Sequence, residues 1–331
     1  MKTKQKRIIK NWLYSGLLLM ALMVIIGGIT RLTHSGLSMV EWSVTGDLPT
    51  EKNILISYKS WQDSPQGIEL SYTFNEFKKI YFWEYIHRMT GRFLGLLFII
   101  PFVTFWLMKW INPKEKRQLL ILLALGSLQA LLGWFMVKSG LVDIPQVSHF
   151  RLAIHLVVSF AIMCYTYWLI LSFTKSEKSP NKSINIISQF LIIALIIQII
   201  YGAFVAGLKA GYFLPANGSF LEIVFGYNIR EANDFNLLHK DLDIQAFHRL
   251  FAWIVFVITL ILFNKTRKTA LANAGFLVIG LTITQIILGI STLLLRVQIH
   301  TAVAHQLFAI ILLLSVVRIT YLSSEKSRLS A

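Results

Sequence analysis

The chain has 331 residues, of which 55% are hydrophobic and only 15% charged, and its mean hydropathy is +0.62. This excludes an ordinary soluble domain, where about a quarter of residues carry charge. A formal net charge of +16 would suit a nucleic-acid binder, but the cations gather in short loops between apolar runs, the mark of membrane topology rather than nucleic-acid affinity.

The N-terminus MKTKQKRIIKNW precedes a long apolar run with no clear small-residue cleavage site, so it reads as a retained first span rather than a signal peptide. Spans are expected at about 12–31, 83–108, 119–138, 149–173, 187–207, 246–263, 271–295 and 300–321, the sixth starting about a turn before its apolar run. Basic clusters occupy the N-terminal tail, 109–117, 175–182, 265–268 and the C-terminal tail. With eight spans these share one face, which the positive-inside rule makes cytoplasmic, with both termini inside. The short leader favours a bacterial plasma membrane. Two long connections, about 32–82 and 208–245, fall on the outer face, where short capping helices are expected. The single cysteine, Cys164, lies in an apolar run and reads as a small buried side chain, so no intrachain disulfide can form.

The two halves resemble each other. EYIHR at 84–88 matches QAFHR at 245–249, QALLG at 129–133 matches QIILG at 285–289, and HFRLAIH at 149–155 corresponds to HTAVAH at 300–305. GGITRLTHSG at 27–36 aligns with YGAFVAGLKAG at 201–211 if one residue is skipped. The order is the same in both halves. The expected fold is therefore an all-α polytopic membrane protein of eight transmembrane helices. It comprises two parallel four-helix repeats, 1–183 and 184–331, with a pseudo-twofold axis along the membrane normal.

His87 and His155 in the first half, and His248 and His305 in the second, lie a turn or two inside the outer starts of their expected spans. Ionisable groups at that depth are costly unless used, and paired imidazoles across a helix bundle suit the axial positions of a haem iron. The bland alternative is four separate histidines, each hydrogen-bonded to a neighbour. Zinc is a further rival, although no Cys, Asp or Glu cluster accompanies them. His149 and His300 read as interfacial, and His34 and His239 as loop residues. Arg31, Arg88, Arg92, Arg151, Arg249 and Arg296 gather near the outer ends of spans, where guanidinium groups can bind haem propionates or pair with loop acids.

Glu84 stands one turn before His87, and Gln245 holds the matching place before His248. A carboxylate beside one site only suggests proton-coupled chemistry in the first half and electron transfer or support in the second. The plainer alternative is a salt bridge from Glu84 to Arg88.

GGITRLTHSGLSMVEWSVTGDLP at 27–49, FWEYIHRMTGRFLG at 82–95, QALLGW at 129–134 and FHRLFAW at 247–253 resemble the haem A synthase family, of the mitochondrial and proteobacterial-like type, over nearly the whole chain. The resemblance implies an enzyme that oxidises a methyl group of haem O to the formyl group of haem A for terminal oxidases, through two hydroxylations and loss of water. It also implies haem b as cofactor on His248 and His305, with substrate haem held by His87 and His155 and Glu84 acting in catalysis. Haem O synthase and an electron donor would be partners, and a homo-oligomer is compatible. Cysteine pairs that some members carry in outer loops are absent from this chain. Two rivals remain at this point: a bis-histidine electron-transfer cytochrome b, and a transporter built on the repeat.

Overall fold

The computed structural model describes residues 3–40, 48–139, 147–174, 178–213 and 236–325. These are helical, without strands among the described residues, and eight helices are long and apolar enough to cross a membrane. The chain is thus an all-α, multi-pass membrane protein. Cα packing divides it into two compact units that part inside one helix, at Ser159/Phe160.

The first unit begins with α1 (Thr3–Leu32). Short helices α2 (Glu51–Gln62) and α3 (Pro65–Leu70) follow, then α4 (Phe74–Leu107), α5 (Pro113–Ser139) and the start of α6 (His149–Phe173). The expected capping helices in the first long connection are α2 and α3. Their starts are written locally. The Thr50 hydroxyl accepts from Asn53 N–H and Ser64 from Gly67 N–H, with Pro65 in the first turn of α3. Thr73 and Glu76 form a reciprocal capping box at the start of α4.

That box starts α4 nine residues before the expected 83. Its 34 residues extend about 50 Å at 1.5 Å each, well beyond an apolar bilayer core of about 30 Å. The extra turns are aromatic. Phe77 and Tyr81 join Trp61, Met39 and Ile80 in a buried cluster, and the Trp61 indole donates to Gln66 Oε1 at 2.9 Å. Hydropathy detects where a helix crosses lipid, but not where the same helix continues into a protein cap.

Lower in α4, Pro101 lies inside the helix. Proline has no N–H to give the carbonyl four residues back, which is that of Leu97. The Trp12 indole of α1 donates to that carbonyl at 2.7 Å. The ring also packs on Phe98 and Phe105, at centroid distances of 5.2 and 5.4 Å. One tryptophan therefore satisfies the carbonyl freed by the proline and fastens α1 to α4.

The second unit contains the rest of α6, then α7 (Lys182–Gly207), a 3-10 turn at Ala210–Tyr212, α8 (Asp241–Thr266), α9 (Ala272–Leu294) and α10 (Ile299–Ser323). Packing runs α7 to α8, α8 to α9, α9 to α10 and α10 back to α7, a closed ring of four. The closure is polar as well as apolar. Asn181 N–H donates to Ser323 O at 3.0 Å, Asn185 Nδ2 to Thr320 O at 2.8 Å, and Thr320 Oγ1 to Ser188 Oγ at 2.9 Å. Side-chain bonds between helices are a common adhesive in lipid, where apolar burial discriminates poorly. Of the second long connection, expected at about 208–245 with short helices, the described part holds the 3-10 turn and the start of α8, and 214–235 lies outside the described residues.

The units share a local grammar. His34 follows α1, Lys209 follows α7 and Arg296 follows α9, and all three have left-handed φ, near 55°. Each stands seven residues after a glycine, Gly27, Gly202 and Gly289. This sets Gly27 against Gly202 and Gly36 against Gly211 without the one-residue gap that the sequence alignment assumed.

Candidate haem-binding centres

Four imidazoles are carried by α4, α6, α8 and α10. His155, His248 and His305 lie about two turns into their helices, and His87 lies more than three turns into the extended α4. In the first unit His87 and His155 stand within electrostatic reach of each other, and in the second His248 and His305 do. The structure thus brings together the two pairs expected from the sequence.

Each ring faces a glycine on the neighbouring helix. A Cβ added at Gly133 would stand 3.1 Å from His155 Cε1, one at Gly202 3.1 Å from His248 Cε1, and one at Gly289 3.2 Å from His305 Cε1. At Gly27 it would meet His87, at Nε2 3.2 Å away. The missing side chain is the space in which each imidazole sits. The ring edge differs at His87, which turns its Nε2–Cδ2 edge to the glycine where the others turn Cε1.

A carboxamide one turn before three of these glycines fixes the histidine's own backbone. Gln129 Nε2 donates to His155 O at 3.0 Å, Gln198 Nε2 to His248 O at 2.9 Å, and Gln285 Nε2 to His305 O at 2.8 Å. These carbonyls already belong to helix ladders, and a second lone pair is available for the extra bond. Gln-x-x-x-Gly is therefore a receptor for a histidine on the adjacent helix. Two copies appear in the sequence as repeat signals. The third, Gln198 to Gly202, is hidden by the gapped alignment.

The donor set suits a haem iron. The Nδ1 atoms of His155, His248 and His305 are buried without a hydrogen-bond partner, yet each residue keeps accessible surface. With Nδ1 sealed, Nε2 is the nitrogen that would ligate; in His155 it lies 3.2 Å from Gln129 Nε2. Two imidazoles per unit, each backed by a glycine seat, fit the two axial positions of a haem iron, and no group of three or more His, Cys, Asp or Glu side chains suited to a metal ion occurs among the described residues.

Glu84 is fully enclosed. Its Oε2 accepts from Ser38 Oγ at 2.6 Å and from Met39 N–H at 2.9 Å, and its Oε1 is paired with Arg88. Arg88 also donates to Met39 O at 2.9 Å. In the second unit Gln245 Nε2 donates to Ala210 O at 2.8 Å and Phe213 O at 3.1 Å, and Arg249 donates to Gln245 Oε1 at 3.1 Å. Residues 84 and 245 thus do the same mechanical work. Each ties its histidine helix to the segment that follows the first helix of its half, with an arginine one turn on. The partners decide the residue type: N–H and O–H donors face Glu84, carbonyls face Gln245.

The other sequence candidates disperse. Arg151 stacks over Phe135 at 4.5 Å, and Arg92 contacts Met89 Sδ at 3.3 Å. His149 packs on Phe150, His34 gives its carbonyl to Gln66 at 2.9 Å, and His239 and His300 are exposed.

The family model for cytochrome oxidase assembly protein, COX15-CtaA, matches residues 10–317. Curated relatives named heme A synthase align over almost the full length. That of Flavobacterium johnsoniae is 39% identical, covering 95% of this chain and 96% of its own. That of Bradyrhizobium diazoefficiens is 37% identical over 97% and 93%, and that of the Wolbachia of Brugia malayi is 35% identical over 94% and 96%.

The glycine seats give a direct test. Gly289→Ala would press a methyl group onto His305 and should strip most firmly held haem from the purified protein. Gly280→Ala, on the same helix with nothing within 4 Å, should retain it, both read as haem per protein from the optical spectrum.

Proposed function

The chain belongs to the cytochrome oxidase assembly protein family, and we propose that it acts as a haem A synthase. It is a membrane oxidoreductase that converts haem O to haem A for terminal oxidases by oxidising a methyl group to a formyl group. The observation that carries this reading is a glycine-seated histidine pair in each unit, in a chain similar end to end to heme A synthases. A pure electron-transfer cytochrome b is the poorer reading, since two relay sites would have no need of different surroundings.

In this reading the second half, from about residue 184, keeps haem b on His248 and His305. The first half, to about residue 183, presents His87 and His155 to the substrate haem. Haem b supplies one-electron redox chemistry when bound. The protein's part is to fix the imidazoles through Gln198 and Gln285, and to hold the segment around Ser38 and Met39 beside His87 through Glu84. Glu84 is also the proposed acid–base group of the first site. The basic loops set both termini on the cytoplasmic side of a bacterial plasma membrane, with the sites toward the outer face. Haem O synthase and an electron donor are the expected partners, in a monomer or a homo-oligomer.

Leu in place of His248 or His305 should remove the low-spin haem b spectrum. Leu in place of His87 or His155 should leave that spectrum and abolish haem A formation. Loss of the spectrum in the first-half variants alone would exchange the two roles.

Glu84→Gln separates charge from shape. Donors face both carboxylate oxygens, so the introduced amide must turn its NH2 toward one of them. The expected result is about a hundredfold less haem A or lower, with second-half haem b retained. Ser38→Ala removes one tie but keeps the carboxylate and should stay close to wild type. Equal loss in both variants would leave Glu84 a purely structural role.

A further inference from the structure

Three of the four histidine helices are pinned by a glutamine, and the fourth is not. Four residues before Gly27, where Gln129, Gln198 and Gln285 stand before the other glycines, the chain has Met23. It packs against the helix that carries His87. The Met23 methyl lies 3.5 Å from where a Cβ on Gly91 would be. In a helix, the amide of Gly91 meets the carbonyl of His87. A thioether therefore packs beside the turn of α4 that follows His87, where the other three sites have a carboxamide bonded to the histidine carbonyl. Methionine has no donor to give, and it adapts its shape to moving neighbours.

A second observation coincides with the first. The ring of His87 is turned differently, presenting its Nε2–Cδ2 edge to Gly27 where the other rings present Cε1. The missing carboxamide bond and the differently oriented ring belong to the same residue, while α4 is tied to α1 elsewhere, by Thr30 Oγ1 donating to Trp83 O at 3.4 Å and the Trp12 indole to Leu97 O at 2.7 Å.

We infer that Met23 makes His87 the releasable ligand of the protein. This rests on the reading that His87 and His155 hold the substrate haem. A substrate site must let its haem leave after every turnover, whereas a cofactor site must not. Both second-unit ligands are pinned, by Gln198 and Gln285. In the first unit His155 is pinned by Gln129, whereas Met23 has no N–H to give the His87 carbonyl. Met23 is thus a positioning residue that acts through the helix of a ligand without touching the reacting groups.

The test uses full-length protein in detergent, loaded with haem b and mixed with excess apomyoglobin, which captures haem as it dissociates. Wild type should release haem in two phases, fast from the first pair and slow from the second. His87→Leu should eliminate the fast phase and so identify it. Met23→Gln supplies the missing carboxamide and should slow the fast phase about tenfold with the slow phase unchanged. Gln198→Met, the reverse exchange in the second unit, should accelerate the slow phase. A fast phase that is present but unmoved by Met23→Gln, in protein with a wild-type spectrum, overturns this inference alone. Absence of any phase sensitive to His87→Leu overturns the substrate-site reading and this inference with it.

Discussion

An imidazole on a helix that crosses a membrane has two requirements that lipid cannot meet: room for a flat ring against a neighbouring backbone, and an anchor for its orientation. A single glycine on the adjacent helix meets the first. The separation of about 3.1–3.2 Å between each would-be Cβ and the ring is tighter than ordinary van der Waals contact, so any larger residue must move the histidine. At three of the four, a carboxamide one turn away meets the second requirement. With both in place, a ligand geometry can be held by helices that are otherwise interchangeable apolar rods. The rest of the fold serves to keep these helix pairs in register.

Register is maintained by polar contacts in places where apolar packing alone could slide. Trp12 caps the carbonyl that Pro101 leaves open, which fixes α1 along α4 and so places Gly27 opposite His87. At the histidine-bearing end, residues 84 and 245 tie α4 and α8 to the chain just beyond the first helix of each half. Around the second unit, the Asn181, Asn185 and Ser188 contacts with the end of α10 close the ring. The asymmetries are equally local: Glu84 against Gln245, and Met23 against three glutamines. The residues that hold the two histidine pairs therefore differ between the units.

Much of this could be read from the residues alone. Eight apolar runs fix eight crossings because bilayer thickness sets helix length, and the histidine pairs stand out because polar groups at that depth are scarce. The start of α4 could not be read from hydropathy, since residues 74–82 are helical for reasons of capping and aromatic packing. Gln129 and Gln285 were visible as repeated letters, but their task was not, because a bond to a backbone carbonyl on another helix leaves no pattern within one segment. Gln198 was missed when its repeat was aligned out of step. Glu84 was legible as the odd residue of a pair. That Gln would be a poor stand-in for it depends on whether donors or acceptors face the site, and only the folded chain reveals this.

The most direct measurement follows both haems through turnover. Membranes from a host that makes haem O but lacks its own route to haem A, expressing this chain, would be supplied with a reductant and oxygen. Pigments would then be extracted and separated at intervals. The expected result is haem A rising as haem O falls, while haem b per protein stays constant. Haem b consumed in step with haem A, or haem O left unchanged by protein with both sites filled, would contradict the division into a substrate half and a cofactor half.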